Sequence, residues 1–330
     1  MSRRGYTVLL LGLVATLALA ALGSLFVGST DIPVQRTLSI LTGSGPSLER
    51  TILLELRFPR IVLAILVGTG LAAAGTAYQG LFLNPLADPF VIGASSGAAL
   101  GATAAILLGS GRGALPLAAF LGALAAVGLV YLLSGAGGGG SPLSLLLAGA
   151  AVSTIVGSLV SLLMILNDRS ISVIFNWLLG GLSTGGWPEI AYGAPMIGAG
   201  VLALALLSRP LDALALGDDT ATSLGLPVAG FRLAIVLAAT VTTAAAVSMA
   251  GIIGFIGLVA PHAARLVVGG RNSRLLPASC LFGALLLLLA DGAARSLAPP
   301  QEIPVSIVTS LVGGPFFLFL LRQRGAGRPR

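Results

Sequence analysis

The chain has 330 residues, of which 56% are hydrophobic and only 9% are charged. Its mean hydropathy is +1.03. A soluble domain carries about a quarter of its residues charged, so this composition excludes soluble domains and predicts a membrane protein. The net charge of +7 would suggest a nucleic-acid partner in a soluble protein. Here the arginines lie at the ends of apolar runs, where they anchor helices and set orientation, so no nucleic acid is expected.

Ten apolar runs are long enough to cross a bilayer, which requires about 20 residues in a helix. The first is too long for the core of a signal peptide, and nine more follow it. The eighth is interrupted by Pro261, His262 and Arg265. The predicted spans are 6–28, 61–83, 93–109, 114–133, 143–166, 190–207, 228–250, 252–268, 276–296 and 304–321.

Arginine sets the predicted orientation. Ten spans place both termini on one side of the membrane. With the termini in the cytoplasm, eleven of the 18 basic residues lie inside and seven outside, which agrees with the positive-inside rule. Arg57, Arg60 and Arg295 then form an outward positive cluster, against the usual bias.

Glycine spacing predicts close helix packing. Gly93, Gly97 and Gly101, and the small residues from Gly68 to Gly75, are typical of helix seams in membranes. The glycines from 135 to 140 favour an interhelical turn. The segments Arg60–Gly80 and Arg232–Gly251 also resemble each other and lie on oppositely directed spans, which indicates an inverted repeat of the kind that transporters use.

The sequence argues against several kinds of chemistry. GTGLAA from Gly68 to Ala73 formally fits a dinucleotide-binding pattern, but it lies inside a span with no strand before it. A single Cys and a single His exclude an internal disulfide and a multi-histidine metal site within one chain. All 18 basic residues are arginine, so the lysine of an ATP-binding P-loop is missing. We therefore expect no enzyme activity here, and any ATP hydrolysis belongs to a separate chain.

Few charges lie within the spans or their tight turns. Asp291 precedes Arg295 by four residues, so the two are expected to pair on one helix face. The turn NPLADP follows the second span. The loop over residues 208–227 carries Asp212, Asp218 and Asp219 and is expected to form short helices at the membrane face. That loop fits either a site gripped by a partner or a solvated connection.

Five separated stretches resemble one known family. They are LRFPRIVLAILVGTGLAAAGTAYQGLFLNPLADPFVIGASSGAALGA, WLLGGLSTGGW, LGDDTATSLGLP, GFIGLVAPHAARLV, and ADGAARS followed by EIPVSIVTSLVGGPFF. In this order, from Leu56 to Phe317, they resemble the iron-chelate, haem and cobalamin permeases of ABC importers (FecCD-type).

The resemblance implies a fold and a set of partners. Residues 1–330 would form one all-α transmembrane permease domain of about ten helices, with the type II importer fold and its inverted repeat. A second permease copy, two cytoplasmic ATP-binding cassette subunits and an outer substrate-binding protein would complete the importer. This chain would hold no cofactor, because ATP and Mg²⁺ bind the partner ATPase. The protein would be a multi-pass component of a bacterial or archaeal plasma membrane, in contact with lipid.

The resemblance also assigns residues. Arg57, Arg60 and Arg295 match positions that contact acidic residues of the binding protein. The ATPase would be contacted by a coupling segment within 208–227. The residues assigned to coupling are Leu216, Gly217, Asp218, Asp219, Ser223, Leu224 and Gly225. Two turns would form the cytoplasmic gate, namely Asn84, Pro85 and Leu86, and Ser141, Pro142 and Leu143.

The expected function is import of a metal chelate by alternating access. Haem, ferric siderophores and cobalamin all fit a wide and weakly interacting pathway. Met164, Met249 and His262 could ligate haem, although packing explains each of them as well. The alternative functions are a secondary transporter driven by an ion gradient and a membrane scaffold without transport.

Overall fold

The computed structural model describes residues 2–28, 32–41, 46–111, 113–135, 141–183, 185–298 and 301–326. Regular structure within these ranges is helical throughout. In chain order the α-helices are α1 (Arg3–Phe26), α2 (Val34–Leu41), α3 (Ser47–Thr51), α4 (Phe58–Leu81), α5 (Ala94–Leu107), α6 (Ala114–Gly135), α7 (Pro142–Ile165), α8 (Ile171–Leu178), α9 (Trp187–Leu206), α10 (Ser208–Leu214), α11 (Asp218–Ser223), α12 (Val228–Ala250), α13 (Ile256–Val268), α14 (Asn272–Ser296) and α15 (Val305–Ala326). A π-helical turn (Ile52–Arg57) leads into α4, and a short 3-10 turn (Asp168–Ser170) precedes α8.

The ten predicted spans are confirmed as helices. Seven helices in the described part of the chain are long and apolar enough to cross a membrane. Shorter apolar helices at Ala94–Leu107, Ile256–Val268 and Val305–Leu318 account for the other three. The largest differences in bounds are at the end of α15, which runs to Ala326 rather than 321, and at the starts of α13, at Ile256 rather than 252, and of α14, at Asn272 rather than 276. Pro261 lies within α13 without ending it.

Helices α4 and α12 form the centre of the molecule. Most residues of both helices are buried, whereas most residues of α1 are exposed. Gly70 of α4 packs near Thr242 of α12. Further along α4, the Tyr78 hydroxyl lies 3.0 Å from the Thr240 hydroxyl and 3.5 Å from the Val236 carbonyl oxygen. Because the α12 numbers fall as the α4 numbers rise, the two helices are antiparallel. This is the relation that an inverted repeat requires of the two similar segments.

Glycine allows the closest helix approaches. A Cβ on Gly68 would clash with the Gly283 carbonyl, and a Cβ on Gly283 would clash with the Gly68 carbonyl. Gly97 and Gly122 make the same kind of contact between α5 and α6. Backbones that approach this closely bring α4 against α14, and α5 against α6, without an intervening side chain. The predicted glycine seams are therefore present at Gly68 and Gly97. Gly93 has a different position, since it begins α5 with a φ of +90°.

The helix ends define two sides of the molecule. The Tyr6 hydroxyl of α1 donates to the Arg274 carbonyl of α14, which joins the N-terminal ends of both helices on what we call the terminal side. Helices α10 and α11, predicted as short helices, lie on this side. The opposite, far side holds the end of α1, the start of α4 and the end of α14. The short helices α2, α3 and α8 were not predicted.

A few sequence-based interpretations lie outside the described residues. They concern glycines 136–140 of the expected interhelical turn and three arginines used to infer orientation, Arg112, Arg328 and Arg330.

Candidate functional site

A buried charge cluster lies at the far side. The Arg60 Nε atom lies 2.9 Å from the Asp291 Oδ1 atom, and its Nη1 atom lies 2.6 Å from a Glu302 carboxylate oxygen. Arg295 approaches Asp291 at 3.0 Å from the following turn of α14, so the predicted i, i+4 pair is confirmed. Asp291 is fully buried. One carboxylate thus lies between two guanidinium groups, and Glu302 adds a second anion at the edge.

Arginine also holds the end of α1 at this cluster. Arg57 donates to the Leu25 carbonyl at 2.8 Å, and Arg295 donates to the Val27 carbonyl at 2.6 Å and to the Ser24 hydroxyl. A Cβ on Gly28 would come within 2.7 Å of the Arg57 guanidinium. These contacts join α1, α4, α14 and the segment before α15. We call Arg57, Arg60, Asp291, Arg295 and Glu302 the far-side cluster.

Arg57, Arg60 and Arg295 lie together at the far side, but they are largely buried in this structure. The three residues are only 5%, 9% and 3% exposed. Their charge is directed to internal carboxylates and carbonyl oxygens, because an arginine without such partners is costly to bury. Their role in docking a binding protein stays a prediction. Glu302, whose side chain is 30% exposed, is the accessible edge of the cluster.

A large cavity opens beside this cluster. Its volume is about 1090 Å³, and Arg60 and Glu302 belong to its wall. Its other polar lining groups are Ser110, Ser170, Asn176, Ser183, Glu189 and Ser248. Trp177 and Met249 supply apolar surface. A pocket of this size, with hydroxyl, amide and carboxylate groups on an otherwise apolar wall, can hold a large organic molecule.

The cavity wall is assembled where chain segments cross closely. Gly180 and Gly251 have φ values of +62° and +68°, and a Cβ on Gly180 would clash with the Ile252 carbonyl. The Gly181 amide donates to the Ala250 carbonyl at 2.8 Å. The Ser306 hydroxyl donates to the Leu179 carbonyl. The end of α8, the end of α12 and the start of α15 are thereby held together around the cavity.

The predicted coupling residues lie on α11 and in the turns on either side of it, at the terminal side. Leu216 and Leu224 are 68% and 64% exposed. Gly217 and Gly225 have φ values of +103° and +79°, which favour glycine and begin and end α11. Asp219 and Ser223 are exposed on α11, where the Ser223 hydroxyl donates to the Asp219 carbonyl. The segment therefore presents two leucines and a polar helix face to its surroundings.

Two aspartates of this segment bind the transmembrane helices. Both carboxylate oxygens of Asp218 lie 2.8 Å from the Arg232 Nη2 atom on α12. The Asp212 Oδ1 atom accepts from the backbone and side-chain nitrogens of Asn272, both at 2.8 Å, and so caps the start of α14. Neither pair could be predicted from spacing, because Asn272 is 60 residues from Asp212 and Arg232 is 14 residues from Asp218 in the chain.

The predicted gate residues lie in two separate turns. The Asn84 side-chain oxygen accepts from the Leu86 amide at 3.0 Å, and Pro85 lies between them. The Ser141 hydroxyl caps α7 by accepting from the Ser144 amide, and Pro142 occupies the first turn of that helix. Leu143 is exposed. Each triplet is thus a rigid local turn, and their action as a gate stays a prediction.

Asp88 lies in the same turn as Asn84, between α4 and α5. Its carboxylate accepts from the Phe90 amide at 2.9 Å. Burial raises the pKa of Asp88 to about 6, and the hydrogen bond from Phe90 only partly offsets that effect.

The residues considered as haem ligands have different surroundings. Met249 lies on the cavity wall. His262 is buried on α13, with its ring 5.9 Å from the Phe316 ring in an edge-on arrangement. Met164 lies near the end of α7. The described residues contain no group of three or more His, Cys, Asp or Glu side chains that could hold a metal ion.

Comparison with known proteins identifies similar sequences. Residues 16–323 match the FecCD transport family. The chain is 44% identical to a cobalamin import system permease protein, BtuC, of Halobacterium salinarum over 281 residues, which cover 84% of this chain and 75% of that protein. It is 39% identical to the hemin transport system permease protein HmuU of Yersinia pestis over 325 residues, which cover 96% of each chain.

A solved structure shares the fold. It is described as an inward-facing conformation of a metal-chelate type ABC transporter, and it superposes with a TM-score of 0.85 at 34% identity. The match covers 95% of this chain and 98% of that one. The all-helical architecture inferred from the apolar runs is therefore an ABC transporter permease architecture.

Proposed function

Because the chain belongs to the FecCD transport family, we propose that it is the transmembrane permease subunit of an ATP-driven importer that moves a metal chelate into the cytoplasm. The far-side cavity is the observation that carries this proposal. Its volume of about 1090 Å³ slightly exceeds the range of small-molecule sites, which measure roughly 300–1,000 Å³. A metal enclosed by an organic ligand needs such a volume, whereas a bare ion does not.

The substrate class follows from the cavity wall and the relatives together. Hydroxyl and amide groups can bind the periphery of a chelate, and Trp177 and Met249 can contact an apolar ring face. The relatives are described as permeases for cobalamin and hemin. The proposed substrates are therefore haem, a ferric siderophore or cobalamin.

The terminal side is proposed to face the cytoplasm, as the distribution of arginines indicates. Leu216 and Leu224 lie in the turns that flank α11 on that side, and their exposed apolar side chains fit a protein partner. We assign this surface to an ATP-binding subunit, which supplies ATP hydrolysis from another chain. A second permease copy and a second ATPase would complete the translocation unit.

The far side is proposed to receive the substrate-binding protein. Acidic groups of that protein would meet Arg57, Arg60 and Arg295, which the structure holds around Asp291. Since Glu302 is the more exposed partner of Arg60, a carboxylate of the binding protein would compete with Glu302 first. The turns at Asn84–Leu86 and Ser141–Leu143 would close the pathway at the other side, so that access alternates.

Transport in proteoliposomes tests the proposed function. The permease would be reconstituted with its ATPase subunit and binding protein, and uptake of haemin, ferric citrate and cyanocobalamin would be measured. We expect uptake of one of them with ATP and none with ATP plus vanadate. Uptake driven by an ion gradient without ATP would instead establish a secondary transporter.

Paired tryptophan variants test the role of the cavity. Asn176→Trp places an indole at the cavity wall, whereas Leu202→Trp places the same group on an exposed helix surface. We expect uptake to fall sharply in the first variant and to stay near wild type in the second. Equal uptake by both variants would exclude the cavity from the pathway.

A further inference from the structure

Helix α11 contacts the rest of the protein through few residues. Most of its side chains are exposed, and Ala221 is its buried contact. Its ion pair is formed by Asp218, whose two carboxylate oxygens both lie 2.8 Å from Arg232. The Asp218 side chain is 55% exposed, while that of Arg232 is 7% exposed. The pair therefore joins a surface helix to a buried cation on a transmembrane helix.

Helix α10 has a different attachment. Leu211 and Leu214 are buried, and a Cβ on Gly80 would come within 3.1 Å of Leu211. Asp212 adds two hydrogen bonds to Asn272 at the start of α14. Helix α10 is thus packed against the body through apolar contact and capping. By contrast, α11 follows Gly217, whose φ is +103°, and combines one buried residue, Ala221, with the ion pair of Asp218.

Helix α12 connects this contact to the far-side cavity. Arg232 lies in its second turn, and Ser248, Met249 and Ala250 at its other end form part of the cavity wall. The 23 residues of α12 correspond to a rigid rod of about 35 Å. A displacement applied at Arg232 is therefore carried along α12 to the cavity.

We propose that Arg232 is a positioning residue that transmits the movement of α11 to α12 and so to the wall of the far-side cavity. This proposal rests on the proposed function, in which an ATPase subunit contacts α11. The ion pair suits this role because both Asp218 carboxylate oxygens contact one guanidinium nitrogen, which fixes α11 against α12 beside the short connection between the two helices. Movement of α10 would instead reach α14 through Asp212 and Asn272.

The test measures the accessibility of residue 248, at the cavity end of α12, in variants that change the Asp218–Arg232 pair at the other end of the helix. Ser248→Cys in a Cys280→Ser background gives a single thiol at the cavity wall. The permease with its bound ATPase subunits would be placed in nanodiscs, and a charged methanethiosulfonate reagent would label the thiol. We expect MgATP plus vanadate to change the labelling rate at least about fivefold, the lower end of typical coupling between two sites.

Four variants distinguish transmission from folding. Arg232→Gln and Asp218→Asn should each abolish the nucleotide-dependent change while the ATPase subunit stays bound. The exchange Asp218→Arg with Arg232→Asp should restore a substantial part of it, because the opposite charges face each other again. Arg209→Gln removes an exposed arginine from the neighbouring helix α10 and is the matched control. It should respond as the wild type does.

Specific outcomes would overturn the proposal. A nucleotide response that persists in Arg232→Gln or Asp218→Asn would show that the ion pair transmits nothing. Loss of the bound ATPase in both variants, without recovery in the exchanged pair, would show a role in assembly instead. If the wild type itself binds no ATPase or shows no nucleotide response, the proposed function fails rather than the role of Arg232.

Discussion

Each of the two central helices carries, near its start, an arginine that forms an ion pair with an aspartate. The two ion pairs differ in their exposure to water. On the far side, Arg60 of α4 contacts Asp291, which is fully buried, and Glu302. On the terminal side, Arg232 of α12 contacts Asp218, which is largely exposed. Similar sequence segments thus place a cation at opposite ends of the molecule, in environments of different polarity.

The difference indicates different mechanical roles. Desolvated charges are costly to separate, so the far-side cluster fixes α1, α4 and α14 relative to one another. An ion pair with one exposed partner costs less to separate than a fully buried one, because water can reach the exposed carboxylate. The terminal pair can therefore break and re-form during a transport cycle, whereas the far-side cluster acts as a fixed support for the cavity.

The largest effect is expected from Asp291→Asn. This change leaves Arg60 and Arg295 buried without their shared carboxylate, and loss of one partner from a buried ion pair costs about 3–5 kcal/mol. Thermal unfolding in detergent can be followed with a thiol-reactive dye, because the single Cys280 is buried in the folded protein. The midpoint should fall strongly.

Glu302→Gln is the control for this prediction. It removes the partly exposed partner of Arg60 and retains Asp291, so the expected loss is a fraction of that in Asp291→Asn. Equal midpoints for Asp291→Asn and the wild type would show that the far-side cluster does not fix the helices.

The second prediction concerns the seam on which the far-side cluster depends. Gly283→Ala places a methyl group against the Gly68 carbonyl, and overpacking of this kind costs about 1–3 kcal/mol. Gly292→Ala on the same helix is a matched control, because a Cβ there meets no atom within 4 Å. The same dye assay should show a lower midpoint for the first variant and an unchanged or slightly higher one for the second. The reverse order would contradict the close approach of α4 and α14.

The transmembrane helices were predictable because each corresponds to one long apolar run. The start of α12 at Val228 and its end at Ala250 coincide with the predicted span. Helices α2 and α8 are short and lie in loops, so no long apolar run marks them. Their formation depends on the surfaces against which they pack.

The candidate site was predicted only where its contacts are local. Asp291 and Arg295 are four residues apart, and their pairing followed from helix geometry. Arg60 is separated from Asp291 by 231 residues and from Glu302 by 242, so its burial could not be inferred from spacing. The arginines were therefore interpreted as surface charges, although tertiary contacts enclose them.

Asp88 differs from Asp291 in its partner: it accepts a hydrogen bond from the Phe90 amide and not from an arginine. Its pKa is raised to about 6 by burial. An acid whose pKa is higher in the folded state holds its proton more tightly there, so stability falls as pH rises from about 4 to 6 and is constant above. The loss of stability is at most about 3 kcal/mol, and smaller where water reaches the carboxylate.

Asp88→Asn should keep the hydrogen bond and remove this loss of stability at higher pH. Its unfolding midpoint should therefore exceed that of the wild type at pH 7 but not at pH 4. Parallel curves for the two proteins would contradict the assignment.

The smallest loss of stability is expected from Asp218→Asn. Its size relative to the loss in Asp291→Asn compares the terminal pair with the far-side cluster. The Asp218 side chain is 55% exposed, whereas that of Arg232 is 7% exposed. Water reaches one side of this pair, so the expected cost lies below the roughly 3–5 kcal/mol of a fully buried pair. A double-mutant cycle with Arg232→Gln measures the interaction itself. A coupling energy as large as that between Asp291 and Arg60 would make the terminal pair a fixed support. A small value, together with loss of the nucleotide response at Ser248→Cys, would show that the pair matters for transmission more than for stability.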